Sequence, residues 1–161
     1  MKVHVYEKFW MWLSGGLIVA FVAAIVSTSV VQAVQPPSHI ETIDPTTIRT
    51  DPRFSTPGVT TAADGSQQVV VVSQMFAFVP MEIRVTAGRP VTFRLTSTDV
   101  LHGFQIVRSN ANSMVVPGYV SQFTVTFDEP GEYLIVCNEF CGLGHHIMQG
   151  KLIVEEAGGG V

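Results

Sequence analysis

The sequence predicts an all-β sandwich or barrel carried behind one N-terminal transmembrane α-helix. Three observations predict it. Residues Phe9 to Val34 contain no charged residue and no histidine. From Gln67 onward, short runs rich in Val, Ile, Phe and Thr follow one another between turn residues. Their spacing of about 8–12 residues, without a helical stretch between them, is the pattern of a two-sheet all-β domain.

The uncharged run comes first along the chain. At the standard helical rise it reaches roughly 39 Å, more than the ~30 Å hydrocarbon core of a bilayer. A cleaved signal peptide is the rival, since Val31-Gln32-Ala33 resembles a cleavage site. Its apolar region would run only about 7–15 residues. Phe9, Trp10 and Trp12 stand where an interfacial aromatic belt anchors a retained helix. Lys2 and Lys8 precede the span, whereas Glu41 and Asp44 are the first charges after it. The positive-inside rule therefore predicts a short cytoplasmic N-terminus and everything after residue 35 outside.

Residues 36–66 are rich in Pro, Thr, Ser and Asp and show no hydrophobic periodicity. They read as an extended tether, ended by the turn signal Asp64-Gly65. The β domain is expected over 67–156. Val69–Val72 is a β-branched run, Met81–Val85 alternates, and Ala87-Gly88 turns. Val91, Phe93 and Leu95 alternate with Thr92, Arg94 and Thr96. Gly103–Val107 and Met114–Val116 follow, then Phe123, Val125 and Phe127 alternate with Thr124 and Thr126. Pro130-Gly131 turns the chain into Tyr133–Val136, and Lys151–Val154 closes the series before a Gly-rich tail over 157–161. Roughly ninety residues suffice for one such core.

Beyond residue 35 the chain carries seven Lys/Arg against twelve Asp/Glu. That acidic balance argues against nucleic acid as a partner and suits a mildly basic protein. Four soft or borderline ligands fall within twelve residues: Cys137, Cys141, His145 and Met148. Thiolates and thioethers select copper or zinc, and imidazole suits both. The same offsets also trace one face of a helix. Gly142 and Gly144 oppose that, each costing about 1 kcal/mol relative to Ala in a helix interior. A loop between the last two strands is the better reading. A Cys137–Cys141 disulfide accounts for the thiols but not for His145, Met148 and the glycines. A closed zinc site of Cys137, Cys141, His145 and His102 would leave Met148 as a core residue. His102 stands between two strands, where an early loop can meet the loop before the last strand. His4, His39 and His146 are weaker candidates.

Cys137-x-Glu-x-Cys141-Gly-x-Gly-His145-x-x-Met148, preceded by Pro130-Gly-Glu-Tyr133 and Leu101-His102-Gly, closely resembles subunit II of haem-copper cytochrome c oxidases. One helix followed by Ile43-Asp-Pro-Thr-Thr-Ile-Arg49 resembles the B-type (ba-type) branch. The resemblance covers nearly the whole chain. It implies a cupredoxin-like Greek-key domain holding two copper ions in a binuclear CuA centre. Cys137 and Cys141 would bridge both coppers, and His102 and His145 would each cap one. Met148 and the Glu139 backbone carbonyl would be weak ligands. Two metals sharing one electron through two sulfurs spread the charge change on reduction. The resemblance further implies electron transfer from an external cytochrome c or small copper protein to haem in subunit I. Oxygen reduction and proton pumping would take place there, in a prokaryotic plasma membrane, with lipid and small accessory subunits as further neighbours. A Mg or Mn ion shared with subunit I would involve the Glu139 carboxylate. Phe76, Phe78, Phe140 and Leu143 are expected to line an apolar donor-docking face, with core packing of these phenylalanines the equal alternative, and His146 is expected to be exposed. A membrane-anchored copper chaperone and a stand-alone CuA carrier are the alternatives.

Overall fold

The computed structural model describes residues 4–31 and 40–158, in two compact units that part between His39 and Ile40. Residues 32–34 of the expected span, 36–39 of the expected tether (His39 among them) and 159–161 of the tail lie outside the described residues.

The first unit is helix α1, Val5–Val31. Its apolar residues run all round the helix and are exposed, and it is long and apolar enough to cross a membrane. It begins four residues before the uncharged run. The Glu7 carboxylate accepts the His4 backbone N–H at 2.9 Å, which satisfies a free donor of the first turn. Charge at this end extends the helix rather than marking its limit.

Among its described residues, the second unit contains ten strands in two five-stranded sheets. One sheet runs β1 (Gly58–Thr61), β2 (Gln67–Gln74), β5 (Pro90–Ser97), β8 (Ser121–Thr126), with β3 (Ala77–Val79) also pairing with β2. The other runs β4 (Glu82–Thr86), β10 (Gln149–Glu155), β9 (Gly131–Val136), β6 (His102–Ile106), β7 (Asn112–Val115). β2 with β5 and β4 with β10 are parallel; the other pairs are antiparallel. The alternation read in the sequence sets the core. Val91, Phe93 and Leu95 of β5 are fully buried, facing Phe104 and Ile106 of β6, Ile83 and Val85 of β4 and Leu152 and Val154 of β10. Phe93 stacks on Phe123 with ring centroids 5.2 Å apart. Each buried side chain of this size contributes roughly 1.5–3 kcal/mol.

Two departures concern the expected tether. Residues Gly58–Thr61 near its end form β1, and Asp64-Gly65 is the turn of the β1–β2 hairpin rather than the start of the domain. Gly65 has φ 82°, and the Asp64 carboxylate accepts the Ser66 N–H at 2.9 Å. From Ile40 the chain is also packed rather than free. Ile43, Ile48 and Phe54 are buried with Val72 in a small second cluster, and Ile43 N–H donates to the Gly118 carbonyl. Three scattered apolar residues among Pro, Thr and Asp show no period because the segment is a series of turns. Its Glu41 carboxylate binds Arg53 at 2.6 Å and takes both oxygens to Arg94 of β5.

Candidate metal centre

Side chains alternate between the faces of a strand, so the inward series of three neighbouring strands can be followed past their ends. In β9 the series Tyr133, Ile135 continues to Cys137. In β10 the series Val154, Leu152, Gly150 runs back to Met148. In β6, Ile106 and Phe104 lead back to His102. All these residues are buried. β10, β9 and β6 are consecutive in their sheet, so one end of the core carries a thiol, a thioether and an imidazole side by side. The ladder places Cys137 against Met148, with Cys137 N–H donating to the Met148 carbonyl.

The loop between β9 and β10 supplies the remaining groups. It is no α-helix. Its one helical turn is the 3-10 segment His145–Ile147, preceded by Gly142 at φ 125°. The Cys137 and Cys141 sulfurs lie 3.8 Å apart as free thiols. His102 Nδ1 is 3.9 Å from Cys137 Sγ, and His145 Nδ1 is 3.7 Å from Cys141 Sγ. Met148 Sδ is 3.7 Å from Cys141 Sγ, and the Glu139 carbonyl accepts from Cys137 Sγ at 3.2 Å. Thus all six expected groups meet around the sulfur pair, and His102, Cys137 and Cys141 alone form a compact triad able to hold an ion. His102 is fully buried, His145 half-buried and His146 exposed.

Electrostatics here follow burial. The Cys141 thiol is pushed up to about 11, first by desolvation and then by Cys137 beside it. Burial likewise acts to raise Asp99. Donors outweigh it, His102 first and then the Val100 and Met75 amides, and the carboxyl is held below its ordinary value. His102 Nε2 meets Asp99 Oδ1 at 2.8 Å. That bond leaves Nδ1 as the nitrogen facing the sulfurs, the arrangement that orients an imidazole toward a metal.

Two glycines permit the approach of the loop. A Cβ on Gly103 would meet the Asn138 side chain and lie 2.8 Å from the Asn138 and Glu139 backbone nitrogens. A Cβ on Gly144 would lie 2.5 Å from Phe76 Cγ. These particular contacts depend on which segments the fold brings together, which the sequence does not show.

The expected docking face needs one correction. Phe140 and Leu143 are exposed, and Phe76 is half-buried against the ligand loop. Phe78 is instead a core residue, 1% exposed and edge-on to Phe104 at 5.4 Å. On a regular strand Phe76 and Phe78 would share a face, but Phe76 stands in the turn before β3 at φ 63°, which breaks the alternation between them. Ile147, exposed on the ligand loop, and Met75, exposed beside Phe76, are surface apolar residues that the sequence reading passed over.

The donors fit copper: two thiols, a thioether and two imidazoles form a soft, largely buried set. The fold around them is that of a cupredoxin-like domain, whose family model matches residues 53–154. The chain belongs to the cytochrome c oxidase subunit 2 family. It is 39% identical over 155 residues to a cytochrome c oxidase subunit 2 of Thermus thermophilus, covering 94% of this chain and 92% of that one. A second Thermus thermophilus cytochrome c oxidase subunit 2 is 41% identical over 123 residues, 75% of this chain and 91% of the relative. Among solved structures, a chain of a heme-copper terminal oxidase dimer superposes with a TM-score of 0.72 at 32% identity. That match covers 93% of this chain and 99% of the other.

Proposed function

We propose that this chain is the electron-accepting subunit of a terminal haem-copper oxidase of the B-type branch, holding a binuclear copper centre on the outer face of the membrane. The observation that carries the reading is the pair of free thiols 3.8 Å apart with an imidazole Nδ1 beside each sulfur. A mononuclear blue-type site uses one Cys and two His. A second buried thiol at bridging distance has a use when two metals share the pair. Cys137 and Cys141 would bridge, His102 and His145 would each bind one metal, and Met148 and the Glu139 carbonyl would be the weak ligands. Copper held there supplies reversible one-electron chemistry.

The rest of the chain serves that chemistry by position. The β10, β9 and β6 ends fix three of the donors, so little can shift when charge changes. The core beneath the site excludes water on one side. On the other, Phe140, Leu143 and Ile147 form an apolar surface on the loop that carries the ligands. An external cytochrome c or small copper protein would dock there, and electrons would pass on to haem in subunit I for oxygen reduction and proton pumping. Helix α1 would anchor the subunit, with its N-terminus in the cytoplasm. For this chain we assign the Glu139 carbonyl to copper; a Mg or Mn ion at its carboxylate would take its further ligands from subunit I.

The test is copper stoichiometry and the electron paramagnetic spectrum of the full chain loaded in detergent. Two coppers per chain with a spectrum delocalised over both are expected; one copper with a mononuclear spectrum overturns the reading. A chain purified from native membranes should migrate with a large haem-bearing subunit. If it migrates alone, the stand-alone carrier is the better description.

A further inference from the structure

Phe76 adopts φ 63°, a left-handed conformation that bulky side chains rarely take. Such backbone persists only where the surroundings over-determine it. Two contacts do so here. The Phe76 ring lies against Gly142 and Gly144 of the ligand loop, filling the space that a side chain on Gly144 would need. The preceding residue, Met75, donates its backbone N–H to the Asp99 carboxylate. That carboxylate also accepts from Val100 N–H at 2.6 Å and from Ser97 Oγ at 3.2 Å, and it meets His102 Nε2 at 2.8 Å. It lies in the β5–β6 loop with its side chain 23% exposed, between the β2–β3 turn and the buried imidazole. A neighbouring bond, Thr98 N–H to the Ser73 carbonyl, holds the same two segments together one step further back.

We propose that Asp99 is a positioning residue that holds the His102 ring and the Phe76 wedge in register through one carboxylate. The ring wedges the ligand loop from outside while the imidazole approaches the sulfurs from inside, and Asp99 ties the two. Orientation of His102 and closure of the loop are then one mechanical unit rather than two. The inference rests on His102 being a metal ligand, as proposed above. Its structural half, the tie between Asp99 and the β2–β3 turn, is independent of any metal.

The experiment uses the full chain in detergent with Asp99→Asn, Asp99→Ala, Phe76→Ala and the Asp99→Ala/Phe76→Ala pair. In the copper-free chain, Asp99→Ala should speed amide exchange at Met75. In the copper-loaded chain it should lower copper affinity by about 10- to 100-fold, the usual effect of losing a group that orients a metal-bound imidazole, and so speed copper removal by a chelator. The reduction potential and the copper hyperfine pattern should shift with it. Asp99→Asn keeps the size and one acceptor oxygen, so its effect should be smaller and in the same direction, and it serves if the alanine variant fails to fold. The double variant should lose less than the product of the single effects, as expected of groups in one unit. Potential, hyperfine pattern and chelator rate all within twofold of wild type would overturn the proposal, as would multiplicative single effects. If the wild-type chain holds no binuclear copper, the function fails. Unchanged Met75 exchange in the copper-free variants would separately sink the tie.

Discussion

Replacing Cys141 by Ser and Met148 by Leu separates the bridging role from the weak one. Cys141→Ser should abolish the binuclear spectrum. Met148→Leu, close in volume and buried, should keep both coppers and shift the potential; equal loss from both would contradict the roles assigned. Gly103→Ala is the sharper test of geometry, because its methyl group would push directly on the Asn138–Glu139 backbone. It should lower copper occupancy several-fold with little change at His102 itself. The contrast with His146→Ala is useful, since an exposed ring beside the ligand should leave the copper spectrum unchanged. The ligand types and their spacing were legible in the sequence because metal chemistry restricts which side chains serve. Gly103 was not, because its constraint comes from the start of the β9–β10 loop, thirty-five residues away in the chain. Phe78 misled for a related reason: an aromatic reads the same whether its strand turns it inward or outward.

Residues 40–54 form the element whose behaviour differs most from its composition. Phe54 is buried under the Arg94 guanidinium, 5.5 Å from its ring centroid. Phe54→Ala should destabilise the domain by about 3 kcal/mol, at the lower end for a buried Phe because the cluster is small. Denaturant unfolding checks it. Glu41 supplies the pH dependence. Burial acts to raise its pKa, but hydrogen bonds from Arg94 and Arg53 outweigh it and the value is lowered from 4.5. A carboxylate with a depressed folded value stabilises above its unfolded pKa and loses that contribution as pH falls through the folded one. Amide protection in residues 40–54, taken relative to the intrinsic exchange rate at each pH, should therefore fall as the solution is acidified below about pH 5. Glu41→Gln should show the reduced protection already at neutral pH. Identical exchange profiles for the two proteins would remove Glu41 from the account.

At the scale of the whole molecule, loading and stability are linked. The buried thiols must lose their protons to bind metal, and Cys141 is held up at about 11. Copper uptake should thus release protons and weaken as pH falls. A ligand present at about 100 times its dissociation constant stabilises the folded state by about 2.7 kcal/mol. Removing copper with a chelator should lower the melting temperature of the β domain and leave the helicity of α1 unchanged. A melting temperature indifferent to copper would mean that the site is not part of the cooperative fold.

The sequence by itself determined the apolar helix, eight of the ten strands and the ligand types. Each depends on a local rule: an uncharged run of bilayer length, a period of two, or a donor chemistry. β1 and β3 escaped it because four Thr-rich residues and three residues beside a proline carry too short a period to read. Only the tertiary structure decided that β10, β9 and β6 lie side by side and deliver Met148, Cys137 and His102 to one end of the core. It also decided that one carboxylate faces both His102 and the Met75 amide. Those facts are contacts between residues far apart in the chain, and they exist once burial of the two inner faces has selected the sheet order.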